Sequence, residues 1–141
     1  MGQHQINIAC VVDVIGALSI NSLEAGNLCL IDDGPFQSTG QGTPGLCTVV
    51  RPGQVINWYP LAVDLQTPVE IKKISFLGPG DHAAPVDGHT TESEKLDLDV
   101  WTGIVPDYLQ PGVPYKYRIE FQMYEGGNSV LYVDSPALMR L

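Results

Sequence analysis

The stretch Tyr115-Lys116-Tyr117-Arg118-Ile119-Glu120-Phe121-Gln122-Met123 decides the fold class. Aromatic and aliphatic residues occupy its odd positions, and charged or amide residues occupy its even positions. Because successive side chains of a β-strand point to opposite faces of a sheet, the pattern predicts a strand with one buried and one solvated face. The following Glu125-Gly126-Gly127-Asn128 predicts a hairpin turn into another strand at 130–133.

The same period of two recurs throughout the rest of the chain. It predicts further strands at 6–14, 27–31, 46–50, 55–59, 69–77 and 96–105. The turn Arg51-Pro52-Gly53 predicts that the strands on either side of it form a hairpin. The adjacent Lys72 and Lys73 interrupt the alternation, which predicts a β-bulge or a solvated edge.

These segments predict an all-β fold with about eight strands and no helix of ordinary length. Glycine and proline are frequent, at 15 and 11 residues, as is typical of a chain with many turns. The expected architecture is an antiparallel two-sheet β-sandwich, Ig-like or jelly-roll-like, in a single domain over residues 1–141. A closed barrel is the alternative.

The charge balance limits the classes of partner. The 141 residues include 16 acidic and only 7 basic side chains, for a net charge of −9. This balance argues against binding to nucleic acid or to an anionic membrane surface. No Lys or Arg precedes Arg51, and no apolar run approaches the roughly 20 residues of a membrane-spanning helix. We therefore expect a cytoplasmic protein.

Cys10, Cys29 and Cys47 are odd in number and lie in apolar, strand-like segments. This pattern argues against a disulfide framework. None of the three has a basic neighbour in sequence that would activate its thiol. The sequence predicts buried, reduced, structural cysteines.

The segment from Gly78 to Glu94 predicts a long loop that carries the candidate metal ligands Asp81, His82, Asp87 and His89. Imidazole and carboxylate groups are ligands for Zn²⁺ and other divalent metals. The spacing matches no specific metal motif, and a solvated polar loop explains the same residues. No cofactor is expected.

Acidic residues lie at the ends of several predicted strands. These are Asp13, Asp32, Asp33 and Asp64. Strand ends of a sandwich cluster at two poles, so some of these carboxylates are candidates for a shared binding site. The alternative is that each aspartate caps its own turn.

Trp58 and Trp101 are candidates for a ligand platform, because an indole ring is large and its N–H provides a polar contact. Together with Asp13 and Asp64 they form the predicted ligand-binding set. Both tryptophans lie in apolar strands, so core packing is the competing interpretation. The Gly40-Gln41-Gly42-Thr43 loop lacks the lysine and the helix of a phosphate-binding loop, and its glycines fit positions of positive φ. No residue is nominated as catalytic.

An ordered set of short segments resembles the PixA/AidA inclusion-body proteins of bacteria. The segments are Ile6-Asn7-Ile8 with Val11 to Leu18, Asn27 to Asp33, Gly40 to Val50, Val55 to Trp58, Trp101-Thr102-Gly103, Tyr115-Lys116-Tyr117 and Val133 to Leu138. The resemblance covers nearly the whole chain in order. It implies a single β-sandwich domain in a small cytoplasmic protein that is linked to population density or growth phase. It implies no catalytic residues.

The resemblance and the low charged fraction of 16% lead to the expectation of a non-enzymatic protein that self-associates, most simply as a homodimer, in a growth-phase, stress or colonisation role. Two alternatives stay open. One is a module that binds a small molecule or a carbohydrate through the tryptophan and aspartate set. The other is a cofactor-free or metal-assisted enzyme that uses His82, His89 and the nearby acids.

Overall fold

A computed structural model describes residues 5–23, 26–64, 67–79, 93–95, 100–124 and 129–141. Within these ranges the chain forms ten strands and one short helix. In chain order they are β1 (Gln5–Val12), α1 (Val14–Ile20), β2 (Leu28–Asp32), β3 (Cys47–Val50), β4 (Val55–Ala62), β5 (Val69–Pro79), β6 (Ser93–Lys95), β7 (Trp101–Ile104), β8 (Pro114–Met123), β9 (Ser129–Val133) and β10 (Ala137–Arg140). No helix in the described part of the chain is long and apolar enough to span a membrane.

Two five-stranded sheets pack on one shared core. The first sheet has the strand order β2-β1-β4-β7-β6. The second sheet has the order β3-β10-β8-β5, and β9 also pairs with β8. The inward side chains of both sheets belong to a single buried hydrophobic cluster. The prediction of an all-β two-sheet sandwich is therefore confirmed.

The pairing differs from the prediction in one respect, because each sheet contains one parallel pair. β1 runs parallel to β4, and β3 runs parallel to β10. The predicted hairpin of β3 and β4 is also wrong, since these strands belong to different sheets. The turn after Val50 crosses between the sheets, with the Arg51 N–H donating to Oε1 of Gln54 over 2.7 Å. β3 instead pairs with the C-terminal strand, a partner that local sequence does not reveal.

The alternating stretch Tyr115–Met123 lies in β8, as predicted. Tyr117, Ile119, Phe121 and Met123 are fully buried, and the even positions are half-buried. β8 and β9 form the predicted antiparallel hairpin, while the turn at 125–128 lies outside the described residues. The predicted irregularity in β5 is confirmed by a register shift between Ile71 and Lys73.

The first predicted strand is shorter than its alternation suggests, because a helix begins at Val14. The Asp13 carboxylate accepts a hydrogen bond from the Gly16 N–H over 3.1 Å and caps the helix. Val14 and Ala17 still face the core, from one helical turn rather than from a strand. The helix ends at Asn21, whose φ of 56° is left-handed.

Replacing Asp13 with alanine should destabilise the protein by about 1 kcal/mol, because the first turn of α1 loses its side-chain acceptor. Chemical denaturation of wild type and D13A measures the difference. D13N and D13S keep an acceptor oxygen and serve as matched controls. Equal stability of D13A and wild type would show that the cap contributes nothing.

Candidate functional site

Trp58 lies in the core with its side chain fully buried. Its indole N–H donates to the Tyr117 hydroxyl over 3.1 Å, and the two rings meet edge to face with centroids 5.5 Å apart. Burial raises the pKa of Tyr117 well above its ordinary value, although the hydrogen bond from Trp58 opposes the shift. The position of Trp58 fits core packing, the competing interpretation of the sequence.

Trp101 is placed differently from Trp58, although the two residues are paired across β4 and β7. Its side chain is half-buried. Its Nε1 atom is buried and has no hydrogen-bond partner in the described part of the chain. Trp101 packs against the core cluster, and its Nε1 is the one polar side-chain atom of the predicted ligand set that is buried without a hydrogen-bond partner.

The four acidic residues separate into two pairs at opposite ends of the first sheet. Asp13 and Asp64 follow the parallel strands β1 and β4, which end side by side at Val12 and Ala62. Asp13 caps α1, and the Asp64 carbonyl accepts from the Thr67 N–H and hydroxyl, each over 3.0 Å.

Asp32 and Asp33 lie at the other end, because β2 is antiparallel to β1. The Asp33 carboxylate accepts from the Asn7 backbone N–H over 2.7 Å and from the Asn7 amide over 2.9 Å. Asp32 accepts from the Gly34 N–H over 2.9 Å. Asp13 and Asp32 therefore cap the turns that follow them, as the structural alternative predicts, whereas the Asp33 carboxylate bonds to Asn7 of β1 rather than to its own turn.

The predicted metal ligands Asp81, His82, Asp87 and His89 lie outside the described residues, so the metal site stays a prediction. Among the residues that are described, no group of three or more His, Cys, Asp or Glu side chains is arranged to hold a metal ion.

The glycine loop between β2 and β3 has a structural role. Gly40 and Gly42 adopt φ values of 78° and 81°. A Cβ atom on Gly40 would lie 2.7 Å from the Gly45 carbonyl oxygen. The Gln41 side chain accepts from the Asp32 N–H over 3.0 Å, which ties the loop to the end of β2. The interpretation of these glycines as positions of positive φ is confirmed.

The outward side of the first sheet is the feature that sequence analysis missed. β1, β2 and β4 all present apolar side chains to solvent on this side, and their register brings them together. The set, called here the apolar outer face, comprises Ala9, Val11, Cys29, Ile31, Tyr59 and Leu61. Ile31 on β2 is 46% exposed and Leu61 on β4 is 50% exposed, so large aliphatic side chains reach solvent on both sides of β1.

A row of hydrogen-bonded polar side chains borders the apolar outer face. The Asn7 Oδ1 atom accepts from the Asn57 amide over 3.3 Å and from the Tyr59 hydroxyl over 3.2 Å. The Asn57 amide also donates to Oε1 of Gln5 over 3.3 Å. These side chains satisfy one another, so this border carries few unpaired polar groups that need water.

The outward side of the second sheet has the opposite character. Lys116, Arg118 and Glu120 alternate along β8 with the buried residues. The Arg118 guanidinium donates to both carboxylate oxygens of Asp134, over 2.6 and 3.0 Å. It also lies 4.2 Å from the centroid of the Tyr132 ring. This face carries charged side chains that interact with water, whereas the apolar outer face carries none.

The family described as "Domain of unknown function (DUF8788)" matches residues 4–130. The chain belongs to this family. Its arrangement of strands is similar to the crystal structure of the inclusion body protein PixA from Burkholderia cenocepacia J2315, with a TM-score of 0.65 and 13% sequence identity over 99% of this chain and 95% of that one. The likeness confirms the resemblance to PixA at the level of the fold. No curated protein matches the chain.

A signal for the apolar outer face is present in the sequence of this family member. In β1 the positions between the buried residues are Asn7, Ala9 and Val11, and in β2 they are Cys29 and Ile31. Strands with apolar residues on both faces are usually central and covered on both sides. In this chain β2 is the outermost strand of its sheet, so the second apolar face stays uncovered by the described elements.

The hydrogen bond between Trp58 and Tyr117 should contribute measurable coupling. Y117F leaves the buried indole N–H without an acceptor and should cost about 1–3 kcal/mol of the unfolding free energy. A double-mutant cycle with W58F and Y117F should return a coupling energy of roughly 0.5–3 kcal/mol, measured by denaturation. Y132F, at an exposed ring, is the control and should change stability by less than about 0.5 kcal/mol. A coupling energy of zero would contradict the assigned contact.

Proposed function

We propose that this chain is a non-enzymatic protein that self-associates as a homodimer through the apolar outer face of the first sheet. The single observation that supports the proposal is the presence of six apolar side chains on the solvent side of three neighbouring strands. Contiguous apolar patches of this kind typically mark protein contacts. The opposite face of the sandwich instead carries the charged side chains of Lys116, Arg118, Glu120 and Asp134.

Electrostatics favour the same face for contact with a second copy. Two chains of net charge −9 repel each other, and this repulsion is weakest where the facing surfaces carry no charge. The apolar outer face contains no ionised side chain. A two-fold axis through it would pair the same surface with itself, the commonest arrangement of a homo-oligomer.

The area that a stable dimer needs is about 800 Å² per partner, more than these side chains supply alone. Val63, directly after β4, is 63% exposed, and Ile15 on α1 is 51% exposed. Both follow strands of the first sheet at the end where β1 and β4 stop. They offer an apolar extension of the contact beyond Val11 and Leu61.

The described ionisable groups support a role without catalysis. Burial raises the pKa of both Cys10 and Cys47, which disfavours the thiolate form needed for attack. Asp13 caps a helix, and Asp33 is occupied by Asn7. These groups have structural partners rather than the spacing of a nucleophile and its base.

We also propose a cytoplasmic location for this chain. All three cysteines are free thiols, as is usual in a reducing cytoplasm. The solved protein of similar fold is described as an inclusion body protein, which fits a chain that associates with its own copies. A role in growth phase, stress or colonisation is the part of the proposal that the PixA/AidA resemblance supplies.

Sedimentation velocity over a range of concentrations tests the proposed dimer. Wild type should show twice the monomer mass, and added salt should strengthen the dimer because it screens the repulsion between copies. L61E and I31E each place a charge in the contact and should shift the midpoint of association at least tenfold in concentration. V113E, at a valine that is 37% exposed and directly precedes β8 of the second sheet, is the matched control.

Cys29 provides a second measurement in the same contact. Its labelling by a thiol reagent should slow as the protein concentration rises, and L61E should abolish that dependence. A wild-type protein that stays monomeric at high concentration and high salt contradicts the proposal, as does a dimer that L61E and I31E leave intact.

A second candidate function is the binding of a small molecule or carbohydrate beside Trp101, with the buried and unpartnered Nε1 atom as donor. Asp13, Asp64 and Trp58 are the other members of the ligand-binding set that the sequence predicts. A thermal-shift screen of sugars and polar metabolites tests it, because a ligand at 100 times its Kd adds about 2.7 kcal/mol of stability. The shift should disappear in W101F and persist in Y132F. A screen in which no compound moves the midpoint counts against this function.

A further inference from the structure

Strand edges are sites where a sheet pairs with another chain unless the edge is protected. The outer edge of β2 is covered by the glycine loop. The Leu30 N–H donates to the Thr43 carbonyl over 3.3 Å, and the Gly42 N–H donates to the Leu30 carbonyl over 2.8 Å. This edge of the first sheet is therefore occupied by the chain itself.

Two edges of the second sheet are also protected. Along β3, Cys47 and Thr39 exchange two backbone hydrogen bonds of 2.8 and 3.1 Å. Along β5, the register shifts twice, and the exposed Lys72 and Lys73 lie at the first shift. Bulges and lysines are the devices by which natural sheets prevent pairing at an edge.

β9 has none of these devices. It pairs with β8 in unbroken register, and its residues Ser129 to Val133 include no charge and no proline. In the described part of the chain, β8 is the only element that pairs with the β9 backbone. A cleft of about 520 Å³ adjoins the strand and is lined by Val130, Leu131 and Tyr132 together with Asn21, Ser22 and Leu23.

We propose that β9 pairs in antiparallel fashion with β9 of a second copy of this chain, about a two-fold axis at Leu131. In this register Val130 lies opposite Tyr132 of the partner subunit, and the same pair recurs on the other side of the axis. An aromatic side chain opposite a β-branched one is among the favourable cross-strand pairs. The edge is thus complementary to itself.

Charge argues for a second copy as the occupant. Two chains of net charge −9 repel each other, but the five residues of β9 are all uncharged and add nothing to this repulsion. Val130 and Tyr132 are 39% and 55% exposed, so the pairing covers apolar area that solvent now reaches. Both partners gain backbone hydrogen bonds at the same time.

This contact goes beyond the proposed dimer, because it uses the second sheet rather than the apolar outer face of the first. Two distinct two-fold contacts on one chain link dimers into tetramers or into open-ended chains. The two contacts are separable by mutation, since Leu61 and β9 lie on different sheets.

Cysteine cross-linking tests the register. In a C29S/C47S background, V130C and Y132C are prepared with different affinity tags and mixed under mild oxidation. Directly opposite residues of an antiparallel pair have Cα atoms about 4.5–5.5 Å apart, within disulfide reach. In a dimer of two copies of the same variant, the new cysteines lie diagonally across the strand pair, about 7–8 Å apart. A disulfide spans this separation poorly. The mixed sample should therefore yield at least fivefold more cross-linked dimer than either variant alone.

Both substitutions are at exposed side chains, and thermal unfolding confirms that each variant is folded before oxidation. Cross-linking that is equal in all three samples, or absent from the mixed one, overturns the proposal. The same mixture is then prepared with the substitution L61E in both variants, which removes the contact of the proposed function. Persistence of the mixed cross-link supports β9 pairing even if the apolar outer face forms no dimer. Loss of the cross-link in L61E shows that β9 makes no contact of its own.

Discussion

The contact between Trp58 and Tyr117 is the interaction on which the rest of the sandwich depends. The two side chains come from different sheets, and both are fully buried. Their hydrogen bond gives the indole N–H an acceptor in a place that water does not reach. An unpaired polar group there would cost as much as several apolar contacts provide, so the two sheets are held in one relative position.

Around this core, the two sheets differ in the side chains that they present to solvent. The second sheet carries the alternating charges of β8, with Arg118 held between Asp134 and the Tyr132 ring. The first sheet carries apolar side chains on both of its sides at β1 and β2. A strand that is apolar on both faces but lies at the edge of a sheet creates an interaction surface. The function proposed for this chain follows from that asymmetry rather than from any reactive group.

The loop between β2 and β3 shows how one segment serves both sheets. Its glycines at positive φ let the chain bend back against Leu30, and Thr39 reaches the start of β3. The loop thereby closes an edge of each sheet. β5 is protected instead by its own bulges and lysines. Compared with these three protected edges, the uncharged and regular β9 stands out, because natural β-proteins normally protect their edge strands.

The sequence by itself determined the class of fold and most of the strands. Alternation in β8, the paired lysines of β5 and the turn glycines act over a few residues, and such local patterns persist in the folded chain. Only the tertiary structure decided which strands are neighbours. The partner of β3 is the C-terminal strand, and the parallel partner of β1 is a strand some 50 residues away, so neither pairing has a local signature. For the same reason the sequence shows that β1 and β2 are apolar on both sides but not that they share a surface with β4, because Val11, Cys29 and Leu61 come together only after parallel and antiparallel pairing have set their register.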